Sequence, residues 1–166
     1  SHNMLVAKRL GWETKHFVEG RLNRREEYKP AYYSVDFDKD HLQALGLEYR
    51  LELQPDGFDL DFERQNKLTS YLFSTSRTEE LDQEITLEEN EGRYSYGQWI
   101  QTPYFKFKVL KGEEFNKVMD ANDGNINSSF LFQSYEDAAN WGLMNLMLEE
   151  DDLKSTILVL SMKGYI

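Results

Sequence analysis

Residues 47–63 constrain this chain more than any other stretch. Leu47-Glu48-Tyr49-Arg50-Leu51-Glu52-Leu53 alternates strictly between apolar and polar residues, and Phe58-Asp59-Leu60-Asp61-Phe62-Glu63 resumes the alternation after a break. A period of two places every second side chain on one face of an extended backbone, so each run reads as a half-buried strand. The break is Pro55-Asp56-Gly57, where Pro presets φ and Gly accepts a positive one, which is turn chemistry. The spacing predicts a β-hairpin over 47–63.

Other segments punctuate themselves less sharply. Residues 4–29 form a basic, amphipathic N-terminal segment, and Ser1-His2-Asn3 ahead of Met4 reads as a tag remnant with no secretory signal behind it. Ala31-Tyr32-Tyr33-Ser34-Val35-Asp36-Phe37 is aromatic and alternating, hence a strand. Asp38-Lys39-Asp40 is expected to cap a short helix over His41–Leu45, stopped by Gly46. Leu68, Tyr71, Leu72 and Phe73 suggest a short buried element, followed by an acidic stretch over 78–91. Tyr94 to Leu110 is strand-like and ring-rich, Gly112 to Met119 fits a short helix, and residues 120–125 are a turn cluster. Phe130-Leu131-Phe132 reads as a strand, Ser134 caps a helix running to Leu148, and Ile157–Leu160 reads as a strand buried on both faces. Strand, helix, strand from 104 to 162 predicts a single α+β domain over 4–166, with a mostly antiparallel sheet and helices packed on one side.

Composition excludes more than it proves. Leu, Ile, Val and Phe number 21, 5, 6 and 10 of 166 residues, above the level of about 20% under which chains stay disordered. No apolar run is long enough to span a membrane as a helix. There is no Cys, so disulfides and thiolate chemistry are out, and a cytoplasmic setting is expected. Only His2, His16 and His41 occur, none at the spacing of a sequential metal site, and the nucleophile-elbow and phosphate-loop motifs are missing. Residues 120–131 resemble a calcium loop superficially, but Gly124 falls one position early and Leu131 stands where the bidentate Glu is needed. No cofactor and no metal are expected.

Charge is the feature most open to a functional reading. Residues 1–30 carry seven bases and four acids, residues 31–91 five bases and sixteen acids, and residues 92–166 seven bases and ten acids. The middle segment alone carries an excess of 11 acids, equal to the formal charge of −11. Such a field repels a phosphate backbone, so direct nucleic-acid binding is disfavoured and a basic protein partner, including one that itself binds nucleic acid, is favoured. Two carboxylate rows stand out, Asp36, Asp38 and Asp40 in one and Asp59, Asp61 and Glu63 in the other, with Glu88, Glu89 and Glu91 nearby in sequence. Converged, the rows could hold Mg²⁺; left apart, they are the wet face of a sheet or a surface for a basic partner. The ring-rich segment supplies candidate anchors in Tyr94, Tyr96 and Trp99. The leading expectation is a non-enzymatic acidic binding or inhibitory protein with no membrane association. Composition likens it to phage-encoded antagonists, immunity proteins and nucleic-acid mimics.

The enzymatic alternative has two forms. One is a carboxylate-cluster metal-dependent enzyme. The other rests on order: Arg50, then Phe73-Ser74-Thr75-Ser76, then Glu89-Asn90-Glu91. These three short motifs resemble the Arg, Ser-Thr-Ser, Glu-x-Glu series of arginine-type ADP-ribosyltransferases. The resemblance implies that Arg50 holds NAD phosphates, Ser74 orients the site and Glu91 stabilises the ribose cation.

Overall fold

The computed structural model describes residues 13–19, 24–27, 29–63, 67–81 and 92–140. The chain divides into two compact units, Thr14–Ser134 and a second made of Ser1–Glu13 with Tyr135–Ile166. Of the second unit only Glu13 and residues 135–140, which are helical, are described.

The first unit is built from twelve described strands. They are β1 (Thr14–Glu19), β2 (Arg24–Glu27), β3 (Tyr33–Phe37), β4 (Gln43–Ala44), β5 (Tyr49–Gln54), β6 (Gly57–Asp61), β7 (Leu68–Leu72), β8 (Arg77–Leu81), β9 (Arg93–Tyr94), β10 (Ile100–Thr102), β11 (Phe105–Lys111) and β12 (Ile126–Phe132). One helix, α1 (Phe115–Ala121), separates the last two. Three antiparallel sheets result: β2-β1-β12-β5-β6-β9, β10-β11-β3 and β4-β7-β8.

This corrects the expected architecture. Half of the structure is strand and 13% helix, and the described helices are two short ones, so the described part of the first unit is sheet on sheet and not helices packed on a sheet. The physical reason is visible in α1, whose seven residues bury only Phe115 and Met119. That is too little apolar surface to cover a sheet face. The sheets cover one another instead, through rings. Tyr49 of β5 lies 5.2 Å from Phe105 and 4.8 Å from Phe107 of β11. Phe107 meets Phe130 of β12 at 5.1 Å. Phe37 of β3 meets Phe132 at 5.1 Å and Phe73 at 4.8 Å, which brings the end of β7 into the same core. Aromatic pairs at these separations add to the stabilisation from burial alone.

The hairpin forms as expected, with Gln54 opposite Gly57 across the Pro55-Asp56 turn and Arg50 opposite Asp61. The strand expected over 31–37 is β3, and the ring-rich stretch becomes β9, β10 and β11. The helix expected over 41–45 does not form. Gln43 and Ala44 instead pair with Tyr71 and Ser70 of β7. Gln43 is fully buried, and its side chain donates to the carbonyls of Asp38 and Lys106 and accepts from the Lys106 N–H. Those contacts outweigh the local capping signal, which is what tertiary override of propensity means. Residues 82–91, the helix beyond 140 and the strand expected at 157–160 lie outside the described residues.

Tyr49 carries a polar atom into the middle of this core. Its hydroxyl is buried with no hydrogen-bond partner among the described residues, and burial pushes its pKa well above the usual value. A hydroxyl desolvated without a partner costs stability. Tyr49→Phe is therefore expected to raise stability by about 1 kcal/mol, measurable as a higher denaturant midpoint at unchanged slope. A loss of stability would show that the hydroxyl is satisfied.

Candidate functional site

Strand alternation places the two carboxylate rows on different surfaces. Tyr49 points inward from β5, so Arg50, Glu52 and Gln54 point out; Phe105 and Phe107 point inward from β11, so Lys106 and Lys108 point out. The two sheets pack inner face to inner face, so these outer faces look in opposite directions. Asp36 belongs to the outer face of the three-stranded sheet, opposite Lys108, and Asp38 follows at the end of β3. Asp59 and Asp61 belong to the outer face of the six-stranded sheet, with Glu63 just beyond it. Glu88, Glu89 and Glu91 lie outside the described residues. The structure does not bring the two rows together, and among the described residues no group of three His, Asp or Glu is placed to hold a metal ion.

Cations attend five of the six row acids. Lys106 lies 3.1 Å from Asp38 and Lys108 3.8 Å from Asp36. Arg50 reaches Asp61 at 2.8 Å and Glu63 at 3.9 Å, and Arg93 lies 3.7 Å from Asp59 and 2.9 Å from Asp56. The Asp40 N–H donated to Asp38, together with the Lys106 ammonium, holds the Asp38 carboxyl below its usual pKa. Exposed pairs of this kind contribute little to stability, but they cut the local field.

The expected aromatic anchors differ in exposure, although Tyr94 and Tyr96 both pack on Phe58. Tyr94 is buried, and Tyr96 is half-buried, donating its hydroxyl to the carbonyls of Gln54 and Gly57 while its ring packs on Phe58 and Phe115. Trp99 is 43% exposed, with Lys108 Nζ 4.5 Å and Lys106 Nζ 5.2 Å from its ring centroid. A signal for this was present in the sequence: residues 92–112 contain Arg93, Lys106, Lys108 and Lys111 and no acid. The rings are accompanied by cations.

One concavity stands on the outer face of the six-stranded sheet. A groove of about 480 Å³ is lined by Arg50, Glu52, Asp59, Asp61 and Asn127 among others. Glu52 faces Asp59 directly across β5 and β6, and Asn127 flanks Glu52 from β12. Glu52 accepts from the amides of Asn125 at 2.8 Å and Gln54 at 3.4 Å, and among the described residues it has no ion pair. Like charges set directly opposite in a sheet are destabilising. Glu52 and Asn127 were not singled out from the sequence, although the two-residue turn at Pro55-Asp56 fixes 52 opposite 59.

The transferase-like residues are spread over different elements. Arg50 lies on β5 and is engaged by Asp61; Ser74 is exposed in the turn after β7, its N–H donating to the Lys39 carbonyl; Glu91 is outside the described residues. Comparison of the chain with protein-family models, curated proteins and solved structures finds no match. Among the described residues no helix is long and apolar enough to cross a membrane.

Proposed function

We propose that this chain is a non-enzymatic binding protein, inhibitory in kind, that docks on a basic protein partner through the groove on the outer face of its six-stranded sheet. The observation that carries this reading is the Glu52–Asp59 pair. Glu52, with no ion pair among the described residues, faces Asp59, whose charge Arg93 offsets only from 3.7 Å, and a lysine or arginine from a partner placed between the two would supply the further cation. The net charge of −11 supports the same reading by steering cationic surfaces toward the protein from a distance. Nucleic-acid-binding proteins, whose own grooves are basic, are the partner class this chemistry fits best. Direct nucleic-acid binding by the groove is disfavoured, because its carboxylates repel phosphate. A cytoplasmic setting is part of the proposal, since a chain without cysteine needs no oxidising compartment to fold.

A decapeptide of lysine and arginine titrated calorimetrically tests the reading. Binding is expected at low salt and should weaken as salt rises, because screening shortens the reach of these charges. Glu52→Gln with Asp59→Asn removes the opposed charges and is expected to weaken binding about tenfold at low salt. Unchanged affinity in the double variant would overturn the assignment of the groove.

A further inference from the structure

We propose that His16 is an acid-released latch between the six-stranded sheet and the sheet β10-β11-β3: neutral, it ties β3 to β1 and β12, and protonated, it lets β3 go. The latch is a buried polar chain that touches the docking groove only through Ser128, which also lines it. His16 of β1 is 6% exposed, and its Nδ1 lies 2.8 Å from the hydroxyl of Tyr33, a residue of β3 with no exposed surface. The Tyr33 hydroxyl also lies 3.2 Å from Ser128 Oγ and 3.5 Å from the Ser129 carbonyl, both on β12. Ser128 Oγ in turn donates to the Phe17 carbonyl at 2.8 Å and accepts from Tyr32 at 3.4 Å. The His16 and Tyr33 rings meet edge-on at 5.2 Å, and Phe130 lies behind at 6.4 Å.

This cluster is the described polar bridge from the six-stranded sheet to β3, an edge strand of the three-stranded one. A charged imidazole here would sit among hydroxyls and rings, with too little to replace its lost hydration. Among the described side chains, those around it do not invite the charge: from β3 it faces Tyr33, with Tyr32 adjacent; β12 presents hydroxyls, a carbonyl and a ring; and the Lys29 ammonium opposes a second positive charge. Against them β2 sets one acid, Glu27, opposite it in register, and burial with Lys29 outweighs it. Burial first, and Lys29 second, bring its pKa down from 6.5 to about 4. Below pH 6.5 the opened form therefore takes a proton that the closed form refuses. Opening becomes progressively easier until the closed form also protonates near pH 4. Asp38, whose carboxyl is held low, keeps its Lys106 pair through most of that window, so β3 and β11 are expected to move as one unit.

Hydrogen exchange at pH 7 and pH 4.5, corrected for intrinsic rates, tests the latch. Peptides covering β3 should exchange on the order of fifty- to a hundredfold faster at the lower pH, while those covering the β5–β6 hairpin change far less. His16→Asn, which keeps a side-chain hydrogen-bonding group without the titration, should abolish the difference. An equal acid response in His16→Asn, or a loss of protection spread evenly over the hairpin and β3, would overturn the proposal. A ring titration of His16 by NMR in the unaltered protein stands independently of any variant: a midpoint near 4 is expected, and one at 6.5 would overturn it.

Discussion

Phe107→Ala is expected to cost about 3–5 kcal/mol of stability, the range for deleting a fully buried ring. Phe107 has no exposed surface and touches four rings: Tyr49 at 4.8 Å, Phe130 at 5.1 Å, Phe105 at 5.4 Å and Phe132 at 6.1 Å. Two of those belong to β12 and one to β5, so a single side chain of the three-stranded sheet touches both central strands of the six-stranded one. Its neighbours are stiff aromatics on hydrogen-bonded strands and cannot collapse into the space, so both transfer and cavity terms apply. Chemical denaturation reads the loss directly. A cost below about 1 kcal/mol would mean that the two sheets do not share this core.

Gln43→Leu is the second large effect, expected at about 2–4 kcal/mol. Leucine fills the space of glutamine but makes none of its three hydrogen bonds, to the Asp38 carbonyl at 3.0 Å, to the Lys106 carbonyl at 3.0 Å and from the Lys106 N–H at 3.1 Å. The two carbonyls keep other donors, since Asp38 O accepts from His41 N–H and Lys106 O from Asp38 N–H. The Lys106 N–H is left with no acceptor, and an orphaned donor pays its full desolvation cost. The same variant should accelerate exchange of the Lys106 amide. A stability change under about 0.5 kcal/mol would be in the range of an ordinary surface substitution and would contradict the role of Gln43 as the tie between β4 and β11.

These two residues mark the boundary of what the sequence discloses. The hairpin was legible because everything that determines it is local: alternation defines the faces, and Pro55-Asp56-Gly57 sets the register. The same arithmetic places Glu52 opposite Asp59, so the core of the candidate groove could have been read in advance by pairing the two runs. Read along its own strand, each row of acids conceals that pairing. The pairing of β11 with β3, which sets Lys108 against Asp36, joins residues about seventy positions apart, and no local signal encodes it. That pairing, with the rings linking the sheets, puts the two carboxylate rows on opposite surfaces. Gln43 departs from the local expectation for a related reason. An Asp-Lys-Asp cap followed by a few helix-compatible residues is a weak local preference, and buried hydrogen bonds to distant backbone outweighed it. The expected helical layer failed because it was inferred from strand-helix-strand order, while aromatic residues on three sheets already supplied enough apolar surface to cover one another.

The docking claim meets its most direct test in backbone amide NMR of the unaltered protein at low salt, titrated with the lysine and arginine decapeptide. The account predicts shifts centred on Glu52, Asp59, Asp61 and Asn127 that reverse when salt is added. Shifts centred instead on Trp99 and Lys108, or no shift at all at saturating peptide, would contradict it.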